Sequence, residues 1–536
     1  APEDRRVVEW AAVLGEPIDV GLLAASARVE PSSVAAALER ATEERILAAS
    51  EGALRFGHDL LRRATYDEIP RAARDEMHRA IAGVLEARAA GSSSHLYHRL
   101  AADPATTDPT VAEAALAAAD AAMKRLAHEE AISLASSAAA LHMGAGRSRD
   151  RALALAVLAE ARALAGDVDG ASAVAHEALD VARGSGDGVA CARAALAVGL
   201  RRKMSTSSLP LVAALEDALR RLDDLGGNDD PTLRCAVEAR LAAALQPMID
   251  PPRALELGRR AIARARATGD PVTLARTLHA ARPAFRMLEP LDERATIDRE
   301  LVGLAEGLGD RPLAAHAYAR AFWSALESGD AARADATLAS LEEIAADLRL
   351  PSHELAAQAA RCVREAMMGR FEEAERLLER VEAARERWMP AVPQALPIDP
   401  VVVLRTGIVT ARGGCTDFGA VVPPLLDPLA RLFADARAGR TAEARAALAR
   451  VADRMLAGEP WYMSRVFLGD VCGRIGPSPY TRRLYELCLP FEGRHVVWTP
   501  LPGYDGAMDR VLGGLAGVLG DGARALAHYD AAIAME

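Results

Sequence analysis

Two lysines, Lys124 after Met123 and Lys203 after Arg202, are all that the 536 residues offer for a phosphate-cradling loop, and neither follows a glycine in a Gly-Lys-Ser/Thr run. Such a loop needs glycine amides around the phosphates and a lysine at its end. No P-loop is encoded in this chain. No Gly-x-Ser-x-Gly elbow or His-Glu-x-x-His pair joins a nucleophile to a base or a metal to its ligands. His95 and His98 are three apart and could share one helix face as a metal pair does, but no third ligand lies near them in sequence, so a surface or packing pair is expected. His58 is read as a packing or hydrogen-bonding residue. Six cysteines (Cys191, Cys235, Cys362, Cys415, Cys472 and Cys488) are far apart with no Cys-x-x-Cys, which points to small buried hydrophobes in a reducing compartment. No catalytic residue, metal or cofactor is called for.

The remaining chemistry is recognition. Arg282, Phe285 and Arg286, then Tyr318, Arg320 and Trp323, then Gln358, Arg361 and Arg364 fall on three successive helix-length segments. Arginine and aromatic groups together can anchor an acidic peptide or a small anionic ligand. The candidate binding set is Arg282, Arg286, Tyr318, Arg320, Trp323 and Arg361. The competing reading has the aromatics packing between helices and the arginines solvated or paired.

The elements that would position these residues are marked by glycines. Gly186, Gly227, Gly269 and Gly309 are separated by 41, 42 and 40 residues, each followed by Asp or Asn and most by Pro. That combination ends one helix at positive φ and caps the next. A second signature, Gly then Asp or Arg with Ala five residues after the Gly, recurs at Gly166, Gly329, Gly369, Gly439 and Gly520. The Gly reverses the chain and the Ala lets two helices approach just beyond the turn. Between these marks apolar residues fall three and four apart, as with Leu377, Leu378 and Val381 in Phe371 to Trp388. Such hairpins cannot bury their apolar faces alone, so stacking is predicted, with the first helix of each hairpin lining an inner, concave face.

The fold class expected is therefore all-α, a superhelical array of helical hairpins. From about Ala145 to Glu536 it resembles the tetratricopeptide-like superfamily, with a period longer than the standard of about 34 residues. The first residues differ: helices over Glu3–Leu14, Ile18–Ala27 and Pro31–Glu43, then a short hairpin of Arg45–Ala49 and Ala53–Phe56, describe a small winged-helix unit. Its third helix, Pro31 to Arg40, carries almost none of the Arg, Lys, Asn and Gln that read bases, so no direct nucleic-acid binding is expected of it. The organisation reads as 1–70 winged-helix-like, 71–145 connecting helices, 146–389 repeats, 390–425 irregular and rich in Pro and Gly, and 426–536 C-terminal repeats.

The segments Arg55-Phe56-Gly57-His58-Asp59-Leu60-Leu61-Arg62-Arg63-Ala64-Thr65-Tyr66 and Met77-His78-Arg79-Ala80-Ile81-Ala82 resemble the region that follows the nucleotide-binding module in large signalling ATPases. These are the ATP-binding LuxR-type transcriptional regulators and the related ATPase-linked nucleotide cyclases. Leu484 to Phe491, Gly506 to Ala516 and Ala523 to Ala534 are similar to the final repeats of the same proteins. The resemblance implies a non-catalytic sensor and protein-interaction arm with an ATPase module elsewhere in the parent chain. LuxR-type output is the first expectation. A regulatory arm of a cyclase or kinase, or a free-standing scaffold, is the alternative. Its partner would be a protein or peptide, with a small-molecule inducer as a second ligand class.

Composition agrees with this class. Hydrophobic residues make up 51% and aromatics 4%, and the formal charge of −11 is spread without basic blocks, which argues against a general binder of phosphate backbones. No stretch approaches the roughly 20 apolar residues of a membrane span, and no signal peptide opens the chain. A soluble, cytoplasmic segment of a longer protein is the expectation.

Overall fold

The computed structural model describes residues 2–50, 53–89, 92–103, 106, 108–125, 127–199, 209–225, 230–245, 249–285, 291–388, 400–412, 427–457, 462–498 and 503–536. The described residues are helical apart from two short antiparallel β-hairpins, and successive helices pack against one another as helical hairpins. No described helix is long and apolar enough to cross a membrane. Two compact units divide near residue 202: one holds Ala1–Arg201 with Arg220–Gly227, the other Arg202–Leu219 with Asn228–Glu536.

In the first unit, helices Pro2–Leu14, Val20–Ala27 and Pro31–Glu43 precede strands Leu47–Ser50 and Ala53–Phe56, paired Leu47 to Phe56 and Ser50 to Ala53. Trp10, Leu23, Val34, Leu38, Phe56 and Ile81 share their core. On the helix Pro31–Glu43 the one strong base-reading group, Arg40, is held by Asp4 through an Nε bond of 3.1 Å. His58 caps the helix Asp59–Glu68, its Nδ1 accepting from Leu60 N at 3.1 Å. His95 and His98 are both buried, and His98 Nδ1 lies 2.8 Å from Nδ1 of His78, whose Nε2 meets Tyr66 Oη at 3.0 Å. Burial pushes both His78 and His98 down to about 4. They form an internal polar seam.

The repeats follow the turn chemistry. Gly166, Gly186, Gly269, Gly309, Gly329, Gly369, Gly439 and Gly520 all have φ between +66° and +95°, while Gly227 lies outside the described residues. Asp167, Asp270, Asp310, Asp330 and Asp521 cap the helices that follow, each accepting from a backbone N–H of the first turn. Ala171, Ala334, Ala374, Ala444 and Ala525 are buried where paired helices meet. Leu377, Leu378 and Val381 turn inward as their spacing requires.

Two local differences from the sequence reading appear in the second unit. Within 390–425, residues 400–412 are described, and Pro400–Ala411 is a helix with the proline at its first position, where its missing N–H removes no bond. Gly506 belongs not to a repeat helix but to a strand: His495–Trp498 and Gly503–Ala507 form an antiparallel hairpin before the helix Met508–Val518. This hairpin packs on helices Arg311–Glu327, Pro351–Met367 and Pro400–Ala411, with Val497 in their core.

Candidate functional site

The first-helix wall of the second unit is built by Pro271–Ala281 with its 3₁₀ extension Arg282–Phe285, then Arg311–Glu327, then Pro351–Met367. Phe285 is fully buried, and a Cβ on Gly258 would sit 3.0 Å from its Cε2, so the glycine makes room for the ring. That anchoring sets Arg282 facing Asp298. Arg282 donates Nε at 2.6 Å and Nη2 at 2.8 Å to the two carboxylate oxygens, and Ser324 Oγ adds a bond of 2.6 Å. Burial opposes the Asp298 charge, but Arg282 and Ser324 hold its pKa below the usual value. One carboxylate thus ties neighbouring hairpins together.

The other candidates divide in the same way. Arg361 forks onto Glu342 at 2.8 and 2.6 Å, and Tyr318 Oη donates to Glu306. Trp323 is half-buried and meets Phe322 edge-on at 4.9 Å. Arg286 lies outside the described residues. Arg320 donates Nη1 to His279 O at 3.0 Å; desolvation first, then repulsion from Arg282, lowers its pKa to about 10. The structure therefore brings Arg282 and Arg320 together, and places Arg361 and Tyr318 in separate ties along the wall.

Beside Arg320 runs a feature that the sequence reading missed. His279, His316 and His353 lie in a row with ring centroids 5.3 and 4.9 Å apart. Their signal was in the sequence: both spacings are 37 residues, about one helical turn short of the 40-residue step, so the row slants across successive first helices. Desolvation is the main cause lowering all three pKa values, with Arg320 also acting on His279 and His316. His316 nevertheless opens to solvent on one side. His279 Nδ1 and His353 Nε2 are buried without a hydrogen-bond partner among the described residues. Neutral imidazoles each offer one donor and one acceptor, which suits a peptide or amide.

Among the described residues one cluster could hold a cation: Glu492, Asp509 and His528. Its donors are already engaged. His528 Nδ1 meets Asp509 Oδ1 at 2.9 Å, Tyr485 Oη meets His528 Nε2 at 3.1 Å, and Gly493 N donates to Asp509 Oδ2 at 2.7 Å. Asp509 is fully buried, and the network pins the helix Gly522–Met535 to its neighbours. Five cysteines among the described residues are buried and none of them is in a disulfide, and Cys415 lies outside them.

No family model matches the chain, and no curated protein matches it in sequence. Among solved structures it is similar to a Signal Transduction ATPase with Numerous Domains (STAND) protein with a tetratricopeptide repeat sensor from Pyrococcus horikoshii, at 12% identity and a TM-score of 0.38 over 72% of this chain. The alignment spans 63% of the length of that protein. Yeast Tom70 is similar at 11% identity and a TM-score of 0.32, over 80% of this chain and 92% of Tom70.

Proposed function

We infer that this chain is the non-catalytic sensor and protein-interaction arm of a signal-transducing ATPase, with a LuxR-type transcriptional regulator as the first reading. The observation that carries the binding half is the row His279, His316 and His353 beside Arg320: polar atoms left over on a wall where the neighbouring arginines are tied to carboxylates. An extended peptide with an acidic side chain suits it, the amides meeting imidazoles and the acid meeting Arg320. The signalling half is supported by the Phe56 to Tyr66 segment and the N-terminal three-helix and hairpin unit, which agree with a winged-helix element next to an ATPase module. A regulatory arm of an ATPase-linked cyclase or kinase is the second reading, supported by the same segments. Binding regulates output only if the peptide prefers one of two packings of the arm.

The test is a thermal-shift screen of acidic peptides followed by titration of the best binder, since a ligand of the folded state raises Tm by mass action. The double variant His316→Ala, Arg320→Ala is expected to weaken that binder at least about tenfold, roughly 1.4 kcal/mol, at an unchanged Tm of the free protein. Undiminished affinity would remove the wall from consideration.

A further inference from the structure

A second polar site lies in the same unit and uses none of the residues above. The strand Gly503–Ala507 alternates buried and half-buried positions, and the period of two turns Asp505 to the buried side with Gly503 and Ala507. An aspartate thus occupies a position that the pattern assigns to a small or apolar residue. Its Oδ1 accepts from Arg437 Nη2 at 3.3 Å, while Oδ2 is buried with no partner among the described residues. The residue is 6% exposed and lines a cleft of about 720 Å³.

Arg437, Arg474 and Arg510 also line this cleft, and Asp470 stands behind them. Arg510 Nη1 and Arg474 Nε each donate to Asp470 at 2.8 Å, and Arg510 Nη2 donates to Asp505 O at 2.9 Å. Arg474 remains 40% exposed, and its two terminal nitrogens have no partner among the described residues. Glu536 closes one edge, its Oε1 accepting from Ala507 N at 2.7 Å. Three arginines thus face three carboxylates, with no net charge to draw in a phosphate. The lining also includes apolar groups: Met367, Met368, Phe371 and Ala411.

We propose that this cleft binds a zwitterion with an apolar body, an α-amino acid or dipeptide, whose ammonium meets Asp505 Oδ2 and whose carboxylate meets the Nη groups of Arg474. A buried acceptor left open carries a penalty that a donor from a ligand removes. An ammonium supplies that donor and neutralises the carboxylate. A simple anion would satisfy Arg474 but leave Asp505 as it is. The volume is within the range of small-molecule sites and exceeds one amino acid, which favours a dipeptide.

The experiment is isothermal titration of the full chain with Leu-Leu, L-methionine and L-phenylalanine, alongside 3-phenylpropanoate, phenylalaninamide and inorganic phosphate. Saturable binding of at least one zwitterion is expected, with the analogues lacking one charge at least about tenfold weaker. Asp505→Asn and Arg474→Ala should each weaken that zwitterion at least about tenfold, and far-UV circular dichroism and Tm should show both variants folded. Because binding is read on the chain itself, the result is independent of the peptide-wall reading. Three results overturn the proposal: no zwitterion binding at 10 mM, phosphate or 3-phenylpropanoate binding as tightly as the zwitterion, or a folded Asp505→Asn that binds unchanged.

Discussion

Asp298 and Asp505 are both buried aspartates facing arginines, yet their pKa values move in opposite directions. Around Asp298, Arg282 and Ser324 supply three short bonds, and the carboxyl is held below its usual value. Around Asp505, desolvation dominates and Asp470 adds repulsion, so the value rises although Arg510 and Arg437 lie close. The difference is one of completeness. A carboxylate both of whose oxygens are met is a structural tie, whereas one left with an open oxygen beside a cleft is available to a ligand.

The largest expected effect tests that distinction. Asp298→Ala strands the buried Arg282 guanidinium and should cost about 3–5 kcal/mol in urea unfolding, the usual result of breaking a buried pair. Asp505→Asn keeps the shape and removes a poorly compensated charge, so its cost should stay within about 1 kcal/mol. Equal losses would erase the contrast.

Next comes the scaffold behind the cleft. Helices Tyr462–Ile475 and Met508–Val518 touch through glycines: a Cβ on Gly473 would lie 3.3 Å from Gly514 Cα, and one on Gly469 would lie 2.8 Å from Val511 Cγ1. Gly473→Leu should destabilise by about 1–3 kcal/mol or more through overpacking. It should also abolish any zwitterion binding, while peptide binding on the wall persists. Loss of both together would mean that the two regions do not behave separately.

A smaller effect is in the pH dependence. Asp298, lowered in the folded state, stabilises above the ordinary carboxylate value of 3.8 and loses that contribution as pH falls through its depressed folded value. Asp505, raised in the folded state while facing Arg437, Arg510 and Asp470, contributes below 3.8 and loses its contribution as pH rises through its elevated value. Urea midpoints measured from pH 3 to 7 should therefore show Asp505→Asn removing a decline on the higher-pH side of 3.8. An unchanged profile would contradict the raised value.

The smallest effect concerns the histidine row. Its members, facing one another and Arg320, resist protonation when folded, so stability should fall as pH drops below the ordinary histidine value of 6.5. His279→Gln should flatten that slope between about pH 6.5 and 5. A slope identical to the parent's would assign the titration elsewhere.

Much of the architecture is legible in the amino-acid sequence. Gly166, Gly269, Gly329 and Gly520 end helices where their neighbours said they would, because a Gly at positive φ followed by a capping Asp acts over four or five residues. The first β-hairpin was legible as two short strands close together in sequence, the second at Ala53–Phe56 as read and the first at Leu47–Ser50 instead of Arg45–Ala49. The second hairpin was not. Gly503–Ala507 has a single tyrosine and no β-branched residue, and it is a strand because it pairs with His495–Trp498 and rests on helix Pro400–Ala411, where a Cβ on Gly407 would lie 3.3 Å from the Tyr504 carbonyl oxygen. Site legibility was lower still: Arg282, Arg320 and Trp323 were singled out by residue type, but type says nothing about which carboxylate stands opposite.

Taken alone, the amino-acid order determined the helical hairpins and their near-40-residue step, which follow from turn and capping contacts along the chain. Tertiary structure decided what each polar side chain does. Arg510 and Asp470 are 40 residues apart and Arg437 and Asp505 are 68 apart, so their pairing, and the oxygen it leaves open, exists only after distant helices have packed. Burial then sets the energy of each charge, and burial is a property of the assembled fold.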